Sequence, residues 1–134
     1  MITLDKNKIG KKGERLAARF LKRAGYRILC RNGHFSHNEL DLVAADKQYV
    51  VFVEVKTRSY DSPEEALQRP ALAVDAQKRS RTVTAAFAYL KEHPTKKVPR
   101  FDVIEVYLDR SRRLKPFKFN HIIDAFHANG RIRP

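Results

Sequence analysis

Apolar residues recur at helical spacing from Gly13 onward: Leu16, Ala17, Phe20, Leu21 and Ala24 share one face while Lys and Arg fill the other, and Gly25 stands as a stop. Tyr26, Ile28 and Cys30 then alternate with Arg27 and Arg31, the pattern of a strand with one wet face. Glu39–Ala44 and Tyr49–Thr57 are strand-like runs rich in Val, Leu and Phe around the turn-like Ala45-Asp46-Lys47-Gln48, so they should pair antiparallel. Asp61–Val74 holds two prolines and no clean period, which predicts a loop with a short helix around Glu64–Gln68. Asp75 can cap a helix running to about Lys91, with Val83, Phe87 and Leu90 toward the core and Pro94 beyond its end. Phe101–Leu108 reads as a further strand and Leu114–Phe119 as another after the basic turn Asp109–Arg113, with a separate apolar segment around Ile122–Phe126. This order predicts an α/β fold, a mixed central sheet flanked by helices with an αβββαβ core, in one domain over 1–134 with ragged ends at about 1–8 and 129–134.

The charge balance narrows the partners. Of 134 residues 28 are Lys or Arg and 15 Asp or Glu, a formal net charge of +13, and nucleic acid is the favoured counter-anion. The single cysteine, Cys30, excludes an internal disulfide and any multi-cysteine metal site, which suits a reducing, cytoplasmic setting. Met1–Lys12 lacks an apolar core of the signal-peptide kind, and runs such as Tyr49–Val53 fall far short of the roughly 18 residues of a membrane span, so no membrane partner is expected.

The chemistry concentrates in the central hairpin. Glu54 and Lys56, two apart, emerge on one face of their strand, as do Glu39 and Asp41 on theirs, and folding the hairpin brings Asp41 beside Glu54. Val50, Val51, Phe52, Val53 and Val55 are what a strand covered on both faces contains, and charges there are costly. A divalent cation, Mg²⁺ or Mn²⁺, would neutralise the carboxylates and activate a water toward phosphorus, with Lys56 lowering its pKa or balancing phosphate charge. The other reading is an edge-strand ion pair of Glu54 with Lys56. His37 alternates with Glu39 and Asp41, which offers Glu39 and His37 as additional members, the histidine as a ligand for a softer metal, a general base or an ordinary surface residue.

Asp41, a thirteen-residue step to Glu54, then x-Lys56 resemble the PD-(D/E)xK signature of restriction-endonuclease-like nucleases. Gly13-Glu14, Glu39-Leu40-Asp41-Leu42-Val43-Ala44, Phe52-Val53-Glu54-Val55-Lys56-Thr57-Arg58, Lys78, Arg100-Phe101-Asp102-Val103 and Asp124-Ala125-Phe126 resemble, in that order, the YraN family over nearly the whole chain. The resemblance implies a fold similar to Holliday-junction resolvases, Asp41 and Glu54 as Mg²⁺ ligands, Lys56 as the catalytic lysine, and Glu14 as a further acidic member. Glu14 could instead favour a helix N-terminus through the dipole. Two departures stand out: no proline precedes Asp41, and Asn38 occupies the usual glycine position before Glu39.

Basic groups complete the picture. Lys78, Arg79 and Arg81, Arg58, and Lys11 and Lys12 are expected to contact phosphates without reading sequence. Gly10-Lys11-Lys12-Gly13 lacks the spacing of a phosphate loop and reads as a flexible basic lead into the helix, while Tyr60 could stack on an unpaired base. Together these readings favour a Mg²⁺-dependent nuclease acting on branched, damaged or single-stranded DNA, as monomer or homodimer. A non-catalytic nucleic-acid-binding or adaptor protein with the same fold is the alternative, and an RNA- or ribosome-associated factor the third.

Overall fold

The valine-rich run becomes the middle of the sheet. The computed structural model describes residues 6–67 and 75–129. Within them α1 (Lys6–Arg23), β1 (Arg27–Phe35), β2 (Asn38–Ala45), β3 (Tyr49–Tyr60), α2 (Pro63–Leu67), α3 (Ala76–Glu92), β4 (Val98–Asp109), a 3-10 turn (Arg110–Arg112) and β5 (Lys115–Phe126) follow in order. The strands form a five-stranded mixed sheet in the order β1-β2-β3-β4-β5. Only β3 and β4 run parallel, and the segment carrying α2 and α3 makes the crossover that a parallel pair requires.

Among the described residues α1 packs on one face of the sheet's middle and α3 on the other. Ala17, Ala18 and Leu21 of α1 pack on Leu42, Val51, Val53 and Ile104, and the small alanines let the helix approach closely. Val83, Ala85, Ala86 and Tyr89 of α3 cover Val43, Phe52, Phe101 and Phe126 on the other side. Burial on both faces is why the β3 core reads as an unbroken apolar run.

One irregularity of the sheet positions the acidic cavity. β2 pairs with β3 only from Leu42↔Val53 to Ala45↔Val50. Beyond Leu42, β2 continues against β1 to Asn38, while β3 continues against β4 to Tyr60. The two strands therefore part at Asp41 and Glu54, and the first half of α1 lies over the opening. Gly13 is needed there, because a Cβ on it would stand 1.8 Å from Thr57 Oγ1.

Several boundaries differ from the sequence reading. Gly10-Lys11-Lys12-Gly13 is not a flexible lead but the second turn of α1, which starts at Lys6, and the proposed ragged stretch up to Lys8 is partly helical. β5 is one strand where two apolar pieces were expected; Asp124 at φ 55° and a register shift against β4 interrupt its alternation. Phe87 is 56% exposed rather than core-facing, since the inward stripe of α3 is Thr82, Val83, Ala85, Ala86 and Tyr89. Tyr60 is buried and stacked on Tyr107 with ring centres 6.0 Å apart, so it offers no open face to a base. Asp75 caps α3 as expected, accepting from Lys78 N at 2.8 Å. The C-terminal part of the loop expected over Asp61–Val74, together with Gln68 of its short helix, lies outside the described residues, as do 1–5 and 130–134.

Candidate metal and phosphate site

Where β2 and β3 part, the Val55 amide loses its strand partner and donates to Asp41 Oδ2 at 2.9 Å. That bond fixes Asp41, 8% exposed, at the fork of the sheet. Glu54, 3% exposed, follows Val53 on the central strand and receives Lys78 Nζ from the first turn of α3 at 3.2 Å from Oε1. From the opposite layer Glu14 of α1 reaches Asp41 and Glu39, and one carboxylate oxygen from each of the three lies within 4.8 Å of the others. Glu14 sits more than two turns inside α1, so the helix-terminus explanation of this residue does not hold.

These side chains line one cavity of about 490 Å³. Glu14, Glu39, Asp41 and Glu54 form its acidic part; Lys6, Lys56, Arg58 and Lys78 supply the positive charge around them. The edge-strand pairing of Glu54 with Lys56 is overturned on both counts, because β3 is the central strand and the ion pair of Glu54 is with Lys78. His37 is also displaced from the set. It lies at φ 63° in the turn before β2, so the alternation with Glu39 and Asp41 does not extend to it, and it is absent from the carboxylate group.

The electrostatics of the cluster are unfavourable as it stands. Burial, then the charges of Asp41 and Glu39, push the Glu14 carboxyl up to about 7. Burial and the Asp41 charge push Glu54 up to about 7 against the pull of Lys78. Asp41 is raised too, chiefly by burial, with the Val55 amide and Lys78 acting the other way. Lys78 stays charged: burial opposes it, but Glu54, Asp41 and Glu39 outweigh burial and hold it above the usual lysine value. Glu14 Oε2 is buried without a hydrogen-bond partner among the described residues. An orphaned carboxylate oxygen in an all-oxygen acidic group fits a hard divalent cation, which would supply the missing partner and take the place of the protons that the raised carboxyls retain.

The family comparison agrees with the motif blocks. A model of the "Uncharacterised protein family UPF0102" matches residues 13–106, a stretch that contains Glu14, Asp41, Glu54, Lys56 and Lys78. The chain belongs to the UPF0102 family. It is 42% identical over 127 residues to a UPF0102 protein of Caldanaerobacter subterraneus subsp. tengcongensis, covering 94% of this chain and 100% of that one. It is 40% identical over 121 residues to one of Chlorobium phaeobacteroides, covering 88% and 93% of the two chains. UPF0102 is also the YraN family whose sequence blocks it resembles. Among the described residues no helix is long and apolar enough to cross a membrane.

In this UPF0102 chain the basic residues expected to act together separate. Lys78 and Arg58 line the cavity; Lys11, Lys12, Arg79 and Arg81 do not. Arg81 is exposed and reaches Gln77 Oε1 at 3.4 Å, and Lys12 donates to the Arg113 carbonyl at 3.4 Å. Lys78 therefore belongs with the carboxylates, a role that depends on where the crossover helix lands and that its position in a basic helix turn did not signal.

A pH dependence follows. A glutamate whose folded-state pKa rises from 4.5 to about 7 binds more protons folded than unfolded in that window, so stability is lost as pH rises through it. The metal-free protein is expected to melt at progressively lower temperature from about pH 4.5 to 7. Glu54→Gln should flatten this dependence, and added Mg²⁺ should reverse it by mass action. Melting curves across that range check both; a metal-free melting temperature that climbs with pH contradicts the assignment.

Proposed function

We propose that this protein is a Mg²⁺- or Mn²⁺-dependent nuclease of the restriction-endonuclease-like kind, hydrolysing phosphodiester bonds in branched, damaged or single-stranded DNA. The observation that carries this reading is the pairing, in one cavity, of four carboxylates that include an orphaned oxygen with four cationic side chains. Such a lining suits a divalent cation and a phosphate side by side. Glu14, Glu39 and Asp41, with Glu54 adjoining, would hold the cation, which supplies a water of lowered pKa and neutralises developing charge. Lys56 faces the same cavity and balances negative charge on the phosphate. Lys78 keeps the neighbouring Glu54 oxygen occupied, so replacing it alters the carboxylates as well as any phosphate contact. The net charge of +13 supports nucleic acid as the substrate.

Asp41→Asn, Glu54→Gln and Lys56→Ala are each expected to reduce divalent-dependent cleavage by about 100-fold or more while the melting transition stays cooperative. Purified protein that cuts no duplex, single-stranded or branched substrate with either cation would refute the proposal. One observation favours the non-catalytic alternative: Glu54 already has a cationic partner in Lys78. In that case the four variants Glu14→Gln, Asp41→Asn, Glu54→Gln and Lys56→Ala would leave nucleic-acid affinity and its salt dependence unchanged, and no product would form.

A further inference from the structure

Arg58 is one of the four cationic side chains of the cavity, and its environment differs from that of the other three. It follows Lys56 by two residues on β3, so Glu54, Lys56 and Arg58 point to one side of the strand in a row. Its side chain lines the same cavity as the carboxylates. Among the described residues its Nε is buried without a hydrogen-bond partner, and its Nη1 makes a long contact of 3.4 Å to the Thr57 carbonyl. Among the described residues it makes no ion pair, whereas Arg100 and Arg110 are paired with Asp102 and Asp61. Tyr107 is beside it in the β3–β4 register, and the buried Glu105, opposite Lys56, accepts from Asn120 at 2.6 Å and makes no ion pair with Arg58 among the described residues. A side chain that lines the cavity while its buried Nε has no acceptor lacks the oxygen a guanidinium is shaped to bind.

The spacing along β3 says which oxygen. Side chains two apart on a strand are about 6.6–6.8 Å apart, a step comparable with that between successive phosphates of an extended nucleic-acid strand. With one phosphate at the level of Glu54 and Lys56, the next along the chain falls at Arg58. We infer that Arg58 holds the phosphate adjoining the one at the carboxylates, which makes the cavity a site for at least two consecutive phosphates of a single strand. The inference rests on the nuclease reading for its first phosphate. The two nonetheless fail separately. The guanidinium presents two N–H groups in a plane, so it should grip phosphate better than a lysine at the same place.

The test compares three ligands by calorimetry with Ca²⁺ as the cation: a thymidine dinucleotide with one phosphodiester, and the same dinucleotide with a 5′- or a 3′-terminal phosphate. Wild-type protein is expected to bind one of the phosphorylated forms about tenfold or more tightly than the bare dinucleotide. Arg58→Met should lose most of that gain, a larger factor than any loss it shows with the bare form. Arg58→Lys should recover only part of it, and it carries the same comparison if the methionine variant folds poorly. Equal affinity of wild type for all three ligands overturns the inference, as does a gain that both variants retain. A terminal-phosphate gain in a protein that cleaves no polynucleotide would sink the nuclease reading and leave the phosphate site standing.

Discussion

Asp102→Ala is expected to lower the unfolding free energy by about 3–5 kcal/mol, the range for removing one partner of a buried ion pair. Asp102 is fully buried on β4. Its carboxylate accepts from Arg100 Nε at 2.9 Å and Nη2 at 2.8 Å, contacts His121 Nε2 at 2.7 Å, and accepts from the Asp124 amide at 2.9 Å. Arg100 also donates to Tyr26 Oη at 2.7 Å and lies over the Tyr49 ring at 4.7 Å. Without the carboxylate, the buried Arg100 guanidinium keeps Tyr26 Oη but loses its counter-charge, and the Asp124 amide at the β5 irregularity loses its acceptor. Burial opposes the Asp102 charge, but these donors prevail and hold its carboxyl below the usual aspartate value. Its contribution is thus present above the ordinary aspartate pKa of 3.8 and fades as pH falls through the lowered one. Replacing Arg100 by Met and Asp102 by Leu together should cost less than Asp102→Ala alone, because no buried charge is then left unpaired. Urea titrations of the three proteins decide this, and a loss under about 1 kcal/mol for Asp102→Ala would mean the network is not load-sharing.

Gly13→Val is expected to cost about 1–3 kcal/mol and to pull the carboxylate group apart. A Cβ at this position would meet Thr57 at Oγ1, Cγ2 and Cβ, at 1.8, 2.7 and 2.8 Å. Rotating the threonine side chain cannot clear the last of these, so α1 has to lift from β3 and takes Glu14 with it. Away from Asp41 and Glu39, Glu14 should return toward its ordinary carboxyl pKa, which a carboxyl-selective NMR titration would detect. In the milder Gly13→Ala background, Thr57→Ala should recover much of the lost stability, since it removes the two closest atoms. Additive losses in that double-variant cycle would place the strain elsewhere.

Much of the site was legible because it lies within one hairpin. The alternation of Glu39 with Asp41 and of Glu54 with Lys56 assigns faces directly, and the valine run assigns β3 to the interior. What stayed hidden depends on partners distant in the chain. Lys78 reaches Glu54 only through the β3–β4 crossover, and Glu14, which the family resemblance offered and the residue pattern did not, reaches Asp41 where β2 and β3 part. The acidic residues Asp102 and Glu105 inside the apolar run Phe101–Leu108 did carry a signal, since buried charges need partners. Their partners, His121 and Asn120, lie on the far side of a strand whose broken alternation concealed it.

The fork between β2 and β3 also divides the sheet mechanically. Backbone hydrogen bonds bind Leu42–Ala45 into the central ladder, whereas Asn38–Leu40 are tied by the backbone to β1 alone. The distal end of the β1–β2 hairpin is thus a small cooperative unit whose amides can exchange with solvent by local opening, without unfolding the core. Glu39 rides on that unit and Asp41 sits at its hinge, while Glu54 and Lys56 stay fixed to the central strand. The acidic lining consequently has one rigid half and one that breathes, and a cation bridging the two halves would slow amide exchange at the hairpin end before it altered exchange anywhere in the central ladder.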